Sequence, residues 1–107
     1  MSAGWYTAGI LIAPVADVIL ADTGPMQDAG SMKIHILLSA TVQGTAAIEH
    51  RNAANDASIR YQIVCFSAFQ PYTMEIPVVH WATGERFRVR LNENLPTAAI
   101  QASIFLI

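Results

Sequence analysis

The sequence predicts an all-β domain: an antiparallel β-sandwich, jelly-roll-like, of about seven or eight strands. Three observations carry this. Apolar and polar residues alternate with a period of two along most of the chain, as they must where successive side chains point to opposite faces of a sheet. Gly- and Pro-centred turn signals separate the alternating runs. No run carries a convincing helical period, and residues 53–57 have room for at most one helical turn.

Residues 1–14 are irregular and contain Gly and Ala, with Trp5 and Tyr6 near the start. They read as an extended N-terminal arm, which either docks on another surface or folds back on its own sandwich. Residues 15–107 form the single sandwich domain. Val15 to Asp22 is a first short strand with Ala16, Val18 and Leu20 on one side, ended by Thr23-Gly24-Pro25. Ser31 to Val42 is the clearest strand. Met32, Ile34, Ile36, Leu38, Ala40 and Val42 alternate there with a polar face that only Leu37 interrupts. After Gly44, Thr45 to His50 presents Ala46, Ile48 and His50 to one side. A polar hairpin tip follows, and Ala57 to Ser67 resumes the alternation, with Ile59, Tyr61, Ile63 and Cys65 as the apolar face. Its other face turns from polar to apolar at Val64 and Phe66, so the end of the strand is covered on both sides or faces a partner. The strand from Tyr72 carries Pro77, which cannot donate to a ladder, and is therefore an edge or ends there. Glu85 to Asn92 sets Phe87, Val89 and Leu91 against Arg86, Arg88 and Arg90. Ala98 to Ile107 is apolar to its last residue, and a strand like that must be covered.

The chain has 107 residues, 53% hydrophobic and 13% charged, where a charged share of roughly 25% is usual. A small domain has too much surface to hide so many apolar residues in one copy. A partner surface, most simply a homo-oligomer, is the expected cover. The net charge of −2 gives no basic field for nucleic acid. The apolar run from Ala8 to Val18 lacks a cationic segment and is broken by Pro14 and Asp17, unlike a signal peptide. No uncharged apolar run reaches the roughly 20 residues that a membrane-spanning helix needs.

Catalytic chemistry finds little support. His35, His50 and His80 fall on different strands without His-x-His spacing, so no metal site is expected. Cys65, the one cysteine, sits on an apolar strand face with no base near it in sequence, and reads as a buried structural thiol. Glu49, His50 and Asp56 crowd a hairpin tip, where water is hard to exclude. No catalytic residue and no cofactor are expected. The row of Arg86, Arg88 and Arg90 needs carboxylates opposite it, from Glu49, Glu75, Glu85 or an acidic partner, or else is a solvated face. At the tip, Arg51, Asn52, Asn55 and Asp56 form either a well-made turn or a contact loop.

The order of alternating strands resembles small virion structural proteins of tailed bacteriophages, above all capsid decoration (cement) proteins. The resemblance rests on the Glu49-His50-Arg51-Asn52-Ala53-Ala54-Asn55-Asp56 hairpin, the Gly84-Glu85-Arg86-Phe87-Arg88-Val89 strand and the terminal strand from Ala98. It covers roughly Val15 onward and is one of general pattern. It implies a homo-oligomer, in many such proteins a trimer, that binds the major capsid protein on the outside of a phage head and stabilises the shell. Trp5 and Tyr6 would then contact the capsid. Phe66, Phe69, Arg86, Arg88, Arg90, Phe105 and Ile107 would contribute to subunit interfaces. The alternatives are a tail or fibre component and a carbohydrate-binding β-sandwich module. The last would require Trp5, Tyr6, Tyr61, Tyr72 and Trp81 to converge on one exposed platform.

Overall fold

The computed structural model describes residues 4–7 and 9–106, with the side chains of Trp5, Thr7 and Val78 outside that description. Among the described residues the chain forms nine strands: β1 (Gly4–Thr7), β2 (Leu11–Ile12), β3 (Ile19–Asp22), β4 (Gly30–Ala40), β5 (Gly44–Arg51), β6 (Ser58–Phe66), β7 (Tyr72–Trp81), β8 (Arg86–Leu91) and β9 (Ala99–Leu106). They make two antiparallel sheets. Sheet A runs β1-β9-β4-β7, with β2 also paired to β9, and sheet B runs β3-β8-β5-β6. The β-sandwich expected from the alternation is the observed fold.

The apolar faces of the two sheets meet in one core. Ile34, Ile36, Leu38 and Ala40 of β4, with Ile100, Ala102, Ile104 and Leu106 of β9, form one wall. Phe87, Val89 and Leu91 of β8, with Ala46 and Ile48 of β5, form the other. Core packing is tight enough to restrict backbone chemistry. A Cβ on Gly30 would come within 2.7 Å of the Trp81 ring, and one on Gly44 within 2.7 Å of the Phe66 ring. Trp81 itself is buried edge-on to Phe87, with ring centroids 5.8 Å apart, and its Nε1 donates to the Asp28 carbonyl at 2.9 Å.

Two expectations change and two open alternatives are decided. Of the two readings of the N-terminal segment the second holds: residues 4–7 and 11–12 add to β9 as strands, so this part of the chain folds back on its own sandwich. The first predicted strand begins only at Ile19, and a register shift between Ile19 and Ala21 buries both Leu20 and Ala21. The strand after Tyr72 passes through Pro77 and reaches Trp81, which the sheet allows because β7 is an edge.

The largest change is in β6. Its register with β5 sets Val64 opposite Ala46 and Ile63 opposite Ala47. That turns Val64 and Phe66 inward and leaves Tyr61, Ile63 and Cys65 outside. Cys65 is therefore exposed and not a buried structural thiol. Phe66, expected at a subunit interface, is 3% exposed and belongs to the core. Truncating it, as Phe66→Ala, is expected to cost about 3–5 kcal/mol of unfolding free energy. Urea denaturation would measure this loss; a stability matching wild type would mean that the ring packs elsewhere.

Candidate functional site

Two outer faces remain once the core is closed, and they differ in chemistry. The outer face of sheet B is covered by ion pairs. Glu49 on β5 lies opposite Arg88 on β8, and Arg88 lies opposite Asp22 on β3. Arg88 Nε donates to Glu49 Oε1 at 2.6 Å, and Arg90 Nε reaches the same oxygen at 3.4 Å. Ser58 donates to Glu49 Oε2 at 2.9 Å, with Arg51 3.9 Å from it. Arg90 also pairs with Asp17 at 2.7 Å, and Arg86 with Asp22 at 3.2 Å. The arginine row thus finds its carboxylates within the chain, in Glu49, Asp22 and Asp17. Glu75 and Glu85 serve elsewhere, on Lys33 and His50.

Burial of Glu49 acts to raise its pKa. Hydrogen bonds from Arg88 and Ser58 and the field of Arg88 and Arg90 outweigh burial, holding the carboxyl below its ordinary value. The Glu85 carboxyl is lowered mainly by the hydrogen bond it accepts from the Ala82 backbone N–H. Desolvation opposes this, and His50 adds to the lowering through its hydrogen bond and charge.

The hairpin tip is a closed turn. Asn52 Oδ1 accepts from the Asp56 N–H at 3.1 Å, and Asn52 Nδ2 donates to Asp56 Oδ1 at 2.7 Å. Arg51 ties down Asn55 through its Nε and Nη2. Asn55 takes a left-handed φ of 56°, which asparagine tolerates well. All four predicted contact-loop residues are engaged in building this turn.

The histidines lie apart. His35 faces outward on sheet A, His50 packs on Phe87 in sheet B with Glu85 at 2.9 Å, and His80 is exposed on β7. Among the described residues no group of three His, Cys, Asp or Glu side chains could hold a metal ion.

The outer face of sheet A is the open one. Its rows follow from the register. Phe105, His35 and Glu75 form one row across β9, β4 and β7, and Ser103, Leu37 and Thr73 lie in the next. Gln101 and Ser39 follow. Two recesses tile this face. One of about 600 Å³ lies over His35, Leu37, Thr73, Glu75 and Phe105. One of about 310 Å³ lies over Ser39, Thr41 and Gln101, with Phe69, Pro71 and Ile10 at its rim. From His35 to Thr41 the track spans about 20 Å of strand.

Phe69 stands at one end of this track. It is 79% exposed and holds a left-handed φ of 59°. Its backbone is pinned by an N–H bond to the Ala40 carbonyl at 2.9 Å. A bulky aromatic in this region is a conformational outlier, costing about 1–3 kcal/mol, and the exposed ring recovers little of that by packing. Phe105 stands at the other end of the track. His35 Nε2, in the same row, is covered without a hydrogen-bond partner among the described residues.

The aromatic platform expected for a carbohydrate-binding module is not the one assembled. Trp81 is in the core, Tyr6 and Tyr72 are half-buried against it, and Tyr61 lies on sheet B. The Trp5 side chain and Ile107 lie outside the described residues. The residues that line the track, among them Ser39, Gln101 and Thr73, are ordinary polar positions of strands and carry no motif. The alternation of residues 31–42, 72–78 and 98–107 marks them as outward-facing, but only the strand order brings them side by side.

No protein-family profile matches the chain, and no curated protein sequence matches it significantly. Solved structures do resemble it in fold. The chain is similar to part of an arabinose-bound α-L-arabinofuranosidase, MgGH51, with a TM-score of 0.54 and 10% identity over 91% of this chain; it spans only 19% of that enzyme. It is also similar to a carbohydrate-binding module, CBM6cm-2 of Cellvibrio mixtus lichenase 5A in complex with cellotriose. There the TM-score is 0.51 and the identity 12%, over 98% of this chain and 86% of that module. At such identities the likeness is one of fold.

Glu49→Gln is expected to destabilise the protein by about 1–3 kcal/mol at neutral pH, because the part-buried Arg88 loses its counter-charge and Arg90 keeps only Asp17. A carboxyl held below its ordinary pKa contributes stability that is complete above the unfolded value and is lost as pH falls through the folded value. The gap between wild type and variant should therefore narrow in acid, below the ordinary value of 4.5. Urea midpoints measured across that range check both the size and the sign.

Proposed function

We propose that this chain is a non-catalytic binding module, and that the outer face of sheet A takes an extended, neutral carbohydrate chain. The observation that carries the reading is Phe69. An exposed aromatic ring, held in a strained conformation at the end of a polar track, fits a surface made to stack against a ligand. The flat apolar face of a sugar ring packs on an aromatic face, while its hydroxyls need donors and acceptors close by. Ser39, Gln101, Thr41 and Thr73 are of the right chemistry, and the face has few charges. The likeness in fold to a module crystallised with cellotriose supports the same class of ligand.

Affinity electrophoresis through gels containing neutral polysaccharides, followed by calorimetry with the best oligosaccharide, tests this. Phe69→Gly is expected to weaken binding at least tenfold, the equivalent of about 1.4 kcal/mol. It should do so without lowering stability, because glycine relieves the left-handed strain. Undiminished binding by the variant would sink the assignment of this face.

A second reading is a capsid decoration protein, and one observation favours it. Ile10, Ile12 and Val15 are exposed large apolar side chains along one short N-terminal stretch, as a surface docking on a large protein assembly would require. Deleting residues 1–14 would now remove two strands of sheet A, so substitution is the better probe. Ile10→Ser with Ile12→Ser is expected to abolish co-sedimentation with capsids and the heat resistance conferred on them, while the domain stays folded. Retention of both effects would count against this stretch as the contact.

A further inference from the structure

A sandwich has sheet edges, and among the described residues three of the four here are blunted. β1 and β2 are four and two residues long. β3 has four residues and a register shift. β7 carries Pro77, and its pairing with β4 shifts between Met32 and Ile34. Short strands, prolines and bulges are the usual devices that stop an edge from recruiting another strand. The fourth edge, β6, has no such protection along Arg60 to Phe66. Its pairing with β5 is regular from Phe66 to Arg60, and the one shift lies beyond, at the hairpin tip. It contains no proline and no lysine, and Arg60 is the only charge in its sequence. The outward side chains are apolar: Tyr61 is 66% and Ile63 45% exposed, with Cys65 exposed beside them.

We propose that β6 pairs antiparallel with β6 of a second copy, joining the two B sheets into one continuous eight-stranded sheet. The register centred on Ile63 keeps the apolar outward residues together. In that register Ile63 meets Ile63 on the two-fold axis, Tyr61 meets Cys65, and Gln62 meets Val64. The seven regular residues are all matched. Arg60 lies across from Phe66, so the two copies' Arg60 side chains stand about 20 Å apart and do not repel at contact range. An isologous contact of this kind closes on itself. Main-chain hydrogen bonds along the strand add to the apolar burial, as in strand addition generally. The open side of the sandwich, where Met74 and Ile76 remain half-buried, lies beside the same edge, so the pairing also narrows access to it. A proline-free apolar edge is otherwise an aggregation hazard, and a defined dimer removes it.

Light scattering on the native chain at tens of micromolar should give twice the 11.6 kDa mass, and Ile63→Lys should halve it while unfolding remains cooperative. Cross-linking tests the register. In a Cys65→Ser background, Ile63→Cys places two thiols on the axis. Directly opposed strand residues have Cα atoms about 4.5–5.5 Å apart, within reach of a disulfide. Mild oxidation should therefore convert that variant to a covalent dimer. The native chain should not cross-link, because its two Cys65 residues would lie about 14 Å apart along the seam. A monomeric native chain overturns the proposal. So does a dimer that survives Ile63→Lys, or one that fails to cross-link at position 63. Should Ile63→Lys not fold, the cysteine variant decides alone.

Discussion

Glu49 is 5% exposed although it faces away from the core, and the register of sheet B depends on it. Its carboxylate holds Arg88, Arg90 and Ser58 at once, and so ties β5 to β8 on one side and to the base of the β6 hairpin on the other. Slipping β8 by one residue would turn its three arginines toward the core and Phe87, Val89 and Leu91 toward water. Apolar burial alone specifies the inner face; the carboxylate adds a second, charge-based specification on the outer one. The two agree, which is the condition for a single native arrangement.

That network also explains how an apolar chain keeps a soluble-looking face. Ala47, opposite Arg90, is fully buried although it points outward. Arginine stems lying flat over a sheet cover apolar surface while their heads find carboxylates. Sheet B is thereby closed and unsuited to neutral ligands over most of its width. On the outer face of sheet A the carboxylate of Glu75 meets only Lys33 and His35, and the rows from Leu37 to Thr41 carry no ion pair among the described residues. The two outer faces of one sandwich thus differ: one is held by charge, the other is left largely open.

Much of the fold was legible because period-two alternation is a local signal. In β4, β8 and β9 the predicted apolar faces are the buried ones. Where local reading failed, the cause was pairing at a distance. The apolar residues of β6 look like a core face, yet its partner β5 has already committed Ala46 and Ile48 inward, which turns Val64 and Phe66 in and Ile63 and Cys65 out. The segment before Val15 looks irregular because its strands are short and find β9 only after some ninety intervening residues. The arginine row was expected to need carboxylates. That Asp17 and Asp22 supply two of them follows from β3 lying beside β8, a neighbour that spacing does not reveal. The candidate track was the least legible part. From the sequence, Phe69 was placed only at a subunit interface implied by the phage resemblance, and its left-handed backbone is a property of the folded loop.

The placement of β9 bears on how the molecule is made. It lies inside sheet A, between β1 and β4, although it follows the other eight described strands in sequence and so is made after them. Until it emerges from the ribosome, β1 and β2 have no neighbour to pair with, and one flank of β4 is bare. Sheet B, by contrast, has all its strands once β8 is out. Closure of the sandwich must wait for the late insertion of one strand between two early ones, a non-local step of the kind that slows β folding. In that interval the nascent chain carries unsatisfied strand edges, and it is then that a chaperone, or premature association, would act on it.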